Sequence, residues 1–148
     1  MLTDSQIILR LTLTVILSGL VGFERQMQRR TAGLRTHILV SLGSCLIMLT
    51  SLYIFDIYNK YVPLDPARIA AGVITGIGFL GAGTIIREGS EIKGLTTAAS
   101  LWVVAGIGLA TGCGFLIGSI FTTLLALVVL LLLRYAESIV FQKGKSGE

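Results

Sequence analysis

The sequence is poor in charged residues: Asp, Glu, Lys and Arg make up 14% of its 148 residues, against about a quarter in a soluble domain. Hydrophobic residues account for 53%, and the mean hydropathy is +0.86. So few charges cannot cover the surface of a soluble domain. We therefore expect an integral membrane protein with most of its mass in the lipid bilayer.

Cysteine, histidine and proline are also scarce, with two, one and two residues respectively. Cys45 and Cys113 lie in apolar surroundings without the spacing of a zinc site or a disulfide framework, so we interpret them as small packing residues. His37 is interpreted as an interfacial residue, with a ligand or proton relay as the alternative. Because no nucleophile is paired with a base and no metal-ligand cluster occurs, we expect neither an enzyme nor a bound cofactor or metal.

Five apolar runs predict an all-α, polytopic bundle of transmembrane helices. A helix of about 20 residues rises about 30 Å, the hydrocarbon thickness of a bilayer. Gly112 and Gly114 divide a stretch of forty uncharged residues, so this stretch is predicted as two spans joined by a tight turn. The predicted spans are about residues 5–23, 36–55, 68–86, 95–111 and 115–133, within a transmembrane domain of residues 1–133, followed by a short cytoplasmic tail, 134–148.

Basic residues are concentrated at alternate ends of these spans. Residues 24–35, here named the arginine segment, carry four arginines, which the positive-inside rule places in the cytoplasm. With the N-terminus outside and the C-terminus inside, nine of the twelve basic residues are cytoplasmic. Topology thus accounts for the net charge of +4 without a nucleic-acid partner. The arginines either hold this topology and contact anionic lipid, or form a docking surface for a partner or a phosphate-bearing ligand.

Two charged positions near the outer ends of the spans have structural interpretations. Arg10 lies inside the first span, where it either extends its guanidinium to the interface or pairs with Asp56. Asp65 followed by Pro66 is typical of a helix start, with an acidic N-cap and proline at the first helical position.

The third span is rich in glycine and contains GIGFLG at residues 76–81. This motif matches the dinucleotide-binding pattern, but an acidic residue about twenty positions later is missing, since position 96 is threonine. We favour glycines that let membrane helices approach closely. At 100° per residue they form two opposite strips, which predicts a central helix packed on both sides. The strips are Gly72, Gly76 and Gly83 against Gly78 and Gly81. The alternative is a helix unwound at GIGFLGAG, whose carbonyls coordinate ions.

Three blocks in order resemble the MgtC/SapB family of bacterial inner-membrane proteins: GFERQMQRRTAGLRTHILVSLG, DPARIAAGVITGIGFLGAGTIIREG and GLTTAASLWVVAGIGLATGCG. The resemblance covers roughly residues 15 to 118. It implies a five-span domain in the cytoplasmic membrane, a link to growth in low magnesium and to survival in host phagocytes, and, for some members, inhibition of the ATP synthase. Longer members carry a soluble C-terminal domain, which the fifteen residues of 134–148 cannot contain.

The family motifs match this chain at positions that we take as candidate functional residues. They are Glu24, Arg25 and Arg35 in the arginine segment, Asp65, Arg68, Gly76, Gly78, Gly81 and Gly83 around the third span, and Thr97 at the start of the fourth.

Two functions are consistent with this sequence. The first is a regulatory membrane protein that contacts another membrane complex, such as the ATP synthase, or a second copy of itself. The second is a transporter or channel for magnesium or another ion. Magnesium is usually bound through carboxylates, and no Asp or Glu lies inside a predicted span, so the regulatory hypothesis is preferred.

Overall fold

The computed structural model describes residues 2–133, so the predicted tail, 134–148, lies outside the described residues. Five helices, one β-hairpin and a single π-helical turn form these residues. In chain order they are α1 (Asp4–Met27), α2 (Leu34–Tyr58), α3 (Pro66–Thr84), β1 (Ile86–Glu88), β2 (Glu91–Lys93), α4 (Leu95–Cys113), α5 (Leu116–Val128) and the π-helical turn (Val129–Leu133).

Helices α1 to α4 are long and apolar enough to cross a membrane, whereas the apolar helix over Leu116–Leu132 is shorter. The predicted all-α bundle of membrane helices is therefore confirmed. The passage of the fifth helix through the bilayer and the N-out, C-in orientation stay predictions.

The helix boundaries follow the local signals in the sequence. Asp65 caps α3 as expected, because its Oδ1 accepts a hydrogen bond from the backbone N–H of Ala67 at 2.9 Å. The predicted turn between the last two helices is also confirmed: Gly114 ends α4 with φ +90°, a left-handed conformation that glycine adopts without strain. The segment 86–93, which begins at the end of the predicted third span and leads to the fourth, forms an antiparallel hairpin.

Helix α4, rather than α3, occupies the centre of the bundle. It packs against α1, α2, α3 and α5, and it buries residues along its whole length. Helix α3 packs against α2 and α4 and buries only Ile77 and Gly81. The prediction of a central third span is therefore wrong, because glycine strips show which faces are flat but not which faces the same chain covers.

Helices α2 and α4 approach each other closely at two glycines of α4. A Cβ atom at Gly112 would lie 2.8 Å from the carbonyl oxygen of Cys45, and one at Gly108 would overlap the carbonyl oxygen of Ser41. These two glycines are four residues apart, so they lie on the same face of α4. The backbone of α4 can approach α2 this closely only because neither position carries a side chain.

Polar residues outnumber hydrophobic ones in the interior of the bundle. Among residues 2–133, thirteen polar or charged residues are buried, compared with ten hydrophobic ones. Most of the buried hydroxyls bond a carbonyl of their own helix: Ser18 Oγ, for example, donates to the carbonyl oxygen of Thr14 at 2.7 Å, and Thr111 Oγ1 to that of Ile107 at 2.7 Å. Serine and threonine can therefore serve here as small packing residues.

The α2–α4 contact predicts that the glycines of α4 differ sharply in how well they tolerate substitution by alanine. We expect Gly108→Ala to lower the free energy of unfolding by about 1–3 kcal/mol, because the new methyl group meets backbone that cannot move aside cheaply. Gly106→Ala is the matched control, since a Cβ at Gly106 meets nothing within 4 Å. Unfolding of the two purified variants in detergent checks this, and equal stabilities would contradict the close approach.

A buried polar cluster at the arginine-segment end

Three helix ends meet next to the arginine segment and enclose a polar cluster. Glu24 and Arg25 come from the last turn of α1, His37 from the start of α2, and Thr97 and Ser100 from the start of α4. All five are buried, with between 0% and 7% of their surface exposed. So many buried polar groups in one place are costly unless they are paired, so the cluster is the strongest candidate for a functional centre.

Glu24 and Arg25 form an ion pair through Glu24 Oε2 and Arg25 Nε. The second carboxylate oxygen, Oε1, is buried and hydrogen-bonds none of the described residues. Such an unpaired buried oxygen costs about 1–3 kcal/mol. Stability alone does not explain a carboxylate at this position, which favours a functional role for it.

His37 connects α2 to α4 through both ring nitrogens. Nδ1 lies 2.8 Å from the carbonyl oxygen of Gly33, and Nε2 lies 3.0 Å from Ser100 Oγ. Because a carbonyl only accepts hydrogen bonds, Nδ1 carries the proton of the neutral ring, and Nε2 then accepts from the Ser100 hydroxyl. The carbonyl oxygen of Thr97, 2.8 Å from Ser100 Oγ, competes with His37 Nε2 for the single hydrogen of that hydroxyl.

Gly22 allows this arrangement. A Cβ atom at Gly22 would lie 2.9 Å from both His37 Cβ and Leu34 Cα, so α1 could not approach the start of α2 with any larger residue there. The turn between α1 and α2 is held by Gln26, whose Oε1 accepts from the backbone N–H of Leu34 at 3.2 Å.

His37, interpreted from the sequence as an interfacial residue, is fully buried among the helices. Its depth in the membrane stays a prediction. The sequence analysis does not single out Ser41 or Ser100. The buried Oγ of Ser41 hydrogen-bonds none of the described residues, whereas Ser100 bonds His37. A signal was present: His37, Ser41 and Ser44 recur at spacings of four and three, which puts them on one face of an otherwise apolar helix.

The structure divides the predicted site residues into three groups. Glu24, Arg25 and Thr97 meet in the cluster, and Arg35 lies exposed at the start of α2 at the same end. Asp65 and Arg68 line a separate groove of about 220 Å³ at the opposite end. On α3, a Cβ at Gly76, Gly78 or Gly83 would meet nothing within 4 Å, whereas one at Gly81 would lie 3.6 Å from Ala98 Cβ.

Arg10 lies at the end of the bundle that is opposite the cluster. Its Nη1 donates to the carbonyl oxygen of Gly112 at 2.7 Å, which ties α1 to the end of α4. Pairing of Arg10 with Asp56 stays a prediction. Within residues 2–133, no group of three or more His, Cys, Asp or Glu side chains is placed to hold a metal ion.

The Glu24–Arg25 pair predicts strong coupling between the two side chains. We expect Glu24→Gln or Arg25→Gln alone to lower the free energy of unfolding by about 3–5 kcal/mol, because each leaves a buried charge unpaired. The double variant should lose less than the sum of the two. Glu88→Gln, which breaks the exposed pair with Lys93, is the control and should cost under about 1 kcal/mol. Additive losses in a double-mutant cycle would contradict the coupling.

Comparison with known proteins places the chain among membrane proteins of one family. The model of the MgtC family matches residues 11–139. The chain is 48% identical over 128 residues to the putative magnesium transporter YhiD of Escherichia coli (strain K12), covering 85% of this chain and 60% of that protein. It is 43% identical over 141 residues to protein MgtC of Salmonella typhimurium (strain LT2), covering 95% of this chain and 58% of that protein.

A third relative, protein SapB of Bacillus subtilis (strain 168), is 39% identical over 115 residues, which cover 76% of this chain and 50% of that protein. The chain thus spans between 50% and 60% of the length of these relatives. No solved structure matches. The family model and these identities show that the chain belongs to the MgtC family.

Proposed function

We propose that this chain is a non-enzymatic regulatory protein of the bacterial inner membrane, linked to magnesium limitation, which acts by helix contacts with another membrane complex. The observation that carries the proposal is the free surface of α3. Helix α3 is continuous from Pro66 to Thr84, and four of its five glycines face open space. These are Gly72, Gly76, Gly78 and Gly83.

The surface beside these glycines has the shape of a helix-binding groove. An apolar groove of about 770 Å³ lies between α2 and α3, with Gly43, Gly72 and Gly76 in its lining. On the same helix, Phe79 projects outward with 82% of its surface exposed. Lipid chains are as apolar as leucine, so association in the membrane depends on such close van der Waals contacts between small and large residues.

An intact α3 also favours contact over ion handling at this helix. The alternative of an unwound GIGFLGAG would need backbone carbonyls freed from helical hydrogen bonds, and residues 76–83 are helical throughout. The ATP synthase is the partner that the family resemblance implies for some members, and a second copy of this chain is the other partner to test.

We expect Gly76→Leu and Gly83→Leu to reduce crosslinking of this chain to its partner or to a second copy, and to abolish its effect on growth in low magnesium. The reason is that a Cβ at either position meets nothing within 4 Å, so the leucine side chain occupies surface that a partner helix would contact. Gly106→Leu, at an open glycine on α4, is the matched control and should leave crosslinking intact. Unchanged crosslinking and an unchanged growth phenotype in the α3 variants would refute the proposal.

Magnesium transport is the second candidate function. Two observations favour it: the YhiD relative is named a putative magnesium transporter, and the bundle interior carries buried hydroxyls on four of its helices. The groove that Asp65 lines at the opposite end from the polar cluster would then be the carboxylate-bearing entrance.

Magnesium flux into liposomes that contain only the purified full chain separates the two functions. Under the regulatory proposal we expect flux equal to that of empty liposomes, both for the unchanged chain and for Asp65→Asn. Flux that is present in the unchanged chain and lost in Asp65→Asn or Gly78→Leu would overturn the regulatory proposal in favour of transport.

A further inference from the structure

A second, solvent-accessible groove lies beside the buried cluster and is not used by the proposed contact at α3. It has a volume of about 560 Å³ and is bordered by the turn after α1, the β-hairpin and the first turn of α4. Its charged lining consists of Arg29, Arg30, Lys93 and Glu88. Glu88 Oε2 is paired with Lys93 Nζ, so the two arginines provide the uncompensated positive charge of the groove.

The turn that carries the two arginines has a defined backbone. The N–H of Arg29 donates to the carbonyl oxygen of Gln26 at 2.9 Å, and that of Arg30 to the carbonyl oxygen of Arg25 at 3.1 Å. A helix that ends with this pair of hydrogen bonds usually has glycine at the first of the two positions, because the backbone there adopts a positive φ. Here Arg29 has φ +52°. An arginine in a conformation that favours glycine suggests that its side chain has a role there.

The N-terminus of α4 opens into the same groove without a side-chain cap. The first hydrogen bond within α4 runs from the N–H of Ala98 to the carbonyl oxygen of Gly94 at 2.9 Å. The three preceding N–H groups therefore have no helical partner. Gly94 has φ +93°, and a Cβ there would overlap the carbonyl oxygen of Thr84, so no capping side chain can replace it. An uncapped helix N-terminus with no acidic residue in its first turn attracts anions.

Thr97 contributes a polar side chain to the wall of the groove, next to the N-terminus of α4. Thr97 lines the groove, yet only 3% of its surface is exposed. Unlike the other buried threonines Thr14, Thr111 and Thr123, whose hydroxyls donate to a carbonyl of their own helix, its hydroxyl makes no hydrogen bond with residues 2–133. Because Thr97 lines the groove, its hydroxyl is available to donate to a ligand there.

We propose that this groove binds a phosphate group, carried either by the headgroup of an anionic lipid or by a free phosphate compound. Arg29 and Arg30 give charge-assisted hydrogen bonds to the phosphate oxygens. The N–H groups at the start of α4 and the Thr97 hydroxyl donate from the opposite wall. Glu88 is the one carboxylate in the lining, and its pairing with Lys93 limits its repulsion of the anion.

The test uses the full chain in detergent and measures lipid binding by native mass spectrometry, with phosphatidylglycerol as the probe and phosphatidylcholine as the zwitterionic reference. We expect phosphatidylglycerol to bind more tightly, and Arg30→Gln to weaken it about fivefold, since each basic residue near an anionic headgroup contributes an effect of that size. Arg87→Gln is the matched control: Arg87 is exposed on the neighbouring hairpin but is outside the lining, so the affinity should not change.

Two further variants separate binding from folding. Thr97→Val should weaken phosphatidylglycerol binding without changing the melting temperature, because valine has nearly the same shape and the hydroxyl bonds nothing in the fold. Glu88→Gln should strengthen binding, a gain that misfolding cannot produce.

Competition with inorganic phosphate identifies the source of the ligand. If millimolar phosphate displaces phosphatidylglycerol from the unchanged chain but not from Arg30→Gln, the groove accepts free phosphate compounds. If phosphatidylglycerol stays bound and retains its dependence on Arg30, the ligand is a lipid headgroup. Equal affinity for both lipids without phosphate binding, or equal weakening by Arg30→Gln and Arg87→Gln, would overturn the proposal.

Discussion

The contact between α2 and α4 at Gly108 and Gly112 determines the arrangement of the other helices. Around these two glycines, α2 presents mostly small residues, Ser41, Ser44 and Cys45, together with the Cβ of Met48. On its other faces, α4 packs against α1, α3 and α5, with Leu101, Val104 and Ile107 in the hydrophobic clusters. In a bilayer such packing replaces the hydrophobic effect as the force that holds helices together.

The same close packing explains how polar residues can fill the interior. A serine or threonine whose hydroxyl bonds a carbonyl of its own helix has almost the volume of alanine or valine and leaves no unsatisfied donor. The polar groups that connect different helices are few, and they lie at the two ends. Arg10 reaches the carbonyl of Gly112 at one end, and His37 reaches Ser100 at the other. The ends are therefore where hydrogen bonding, rather than packing, fixes the relative positions of the helices.

The arginine-segment end has one part that is buried among the helices and one part that is open to solvent. Glu24, Arg25 and His37 are enclosed by three helices, while Arg29 and Arg30 line an open groove on the outside of the same turn. Thr97 belongs to both, because it is buried with the cluster and borders the groove. The first turn of α4 therefore borders both the cluster and the groove. At α3, by contrast, the glycines are exposed to the surroundings, so this helix is suited to interactions outside the chain.

Several features were determined by the sequence alone, because they depend on short-range chemistry. Apolar runs of sufficient length fixed the membrane class and the first four helices, Asp65 and Pro66 fixed the start of α3, and Gly114 fixed the end of α4. The sequence also pointed to Glu24, Arg25 and Thr97, through the motifs that carry the family resemblance. The tertiary structure decided which glycines are packed, that α4 is central, and that His37 is a buried link. These features depend on which faces of the helices pack together. A helix with small residues on several sides can pack against several neighbours, so its own sequence does not determine which of them it contacts.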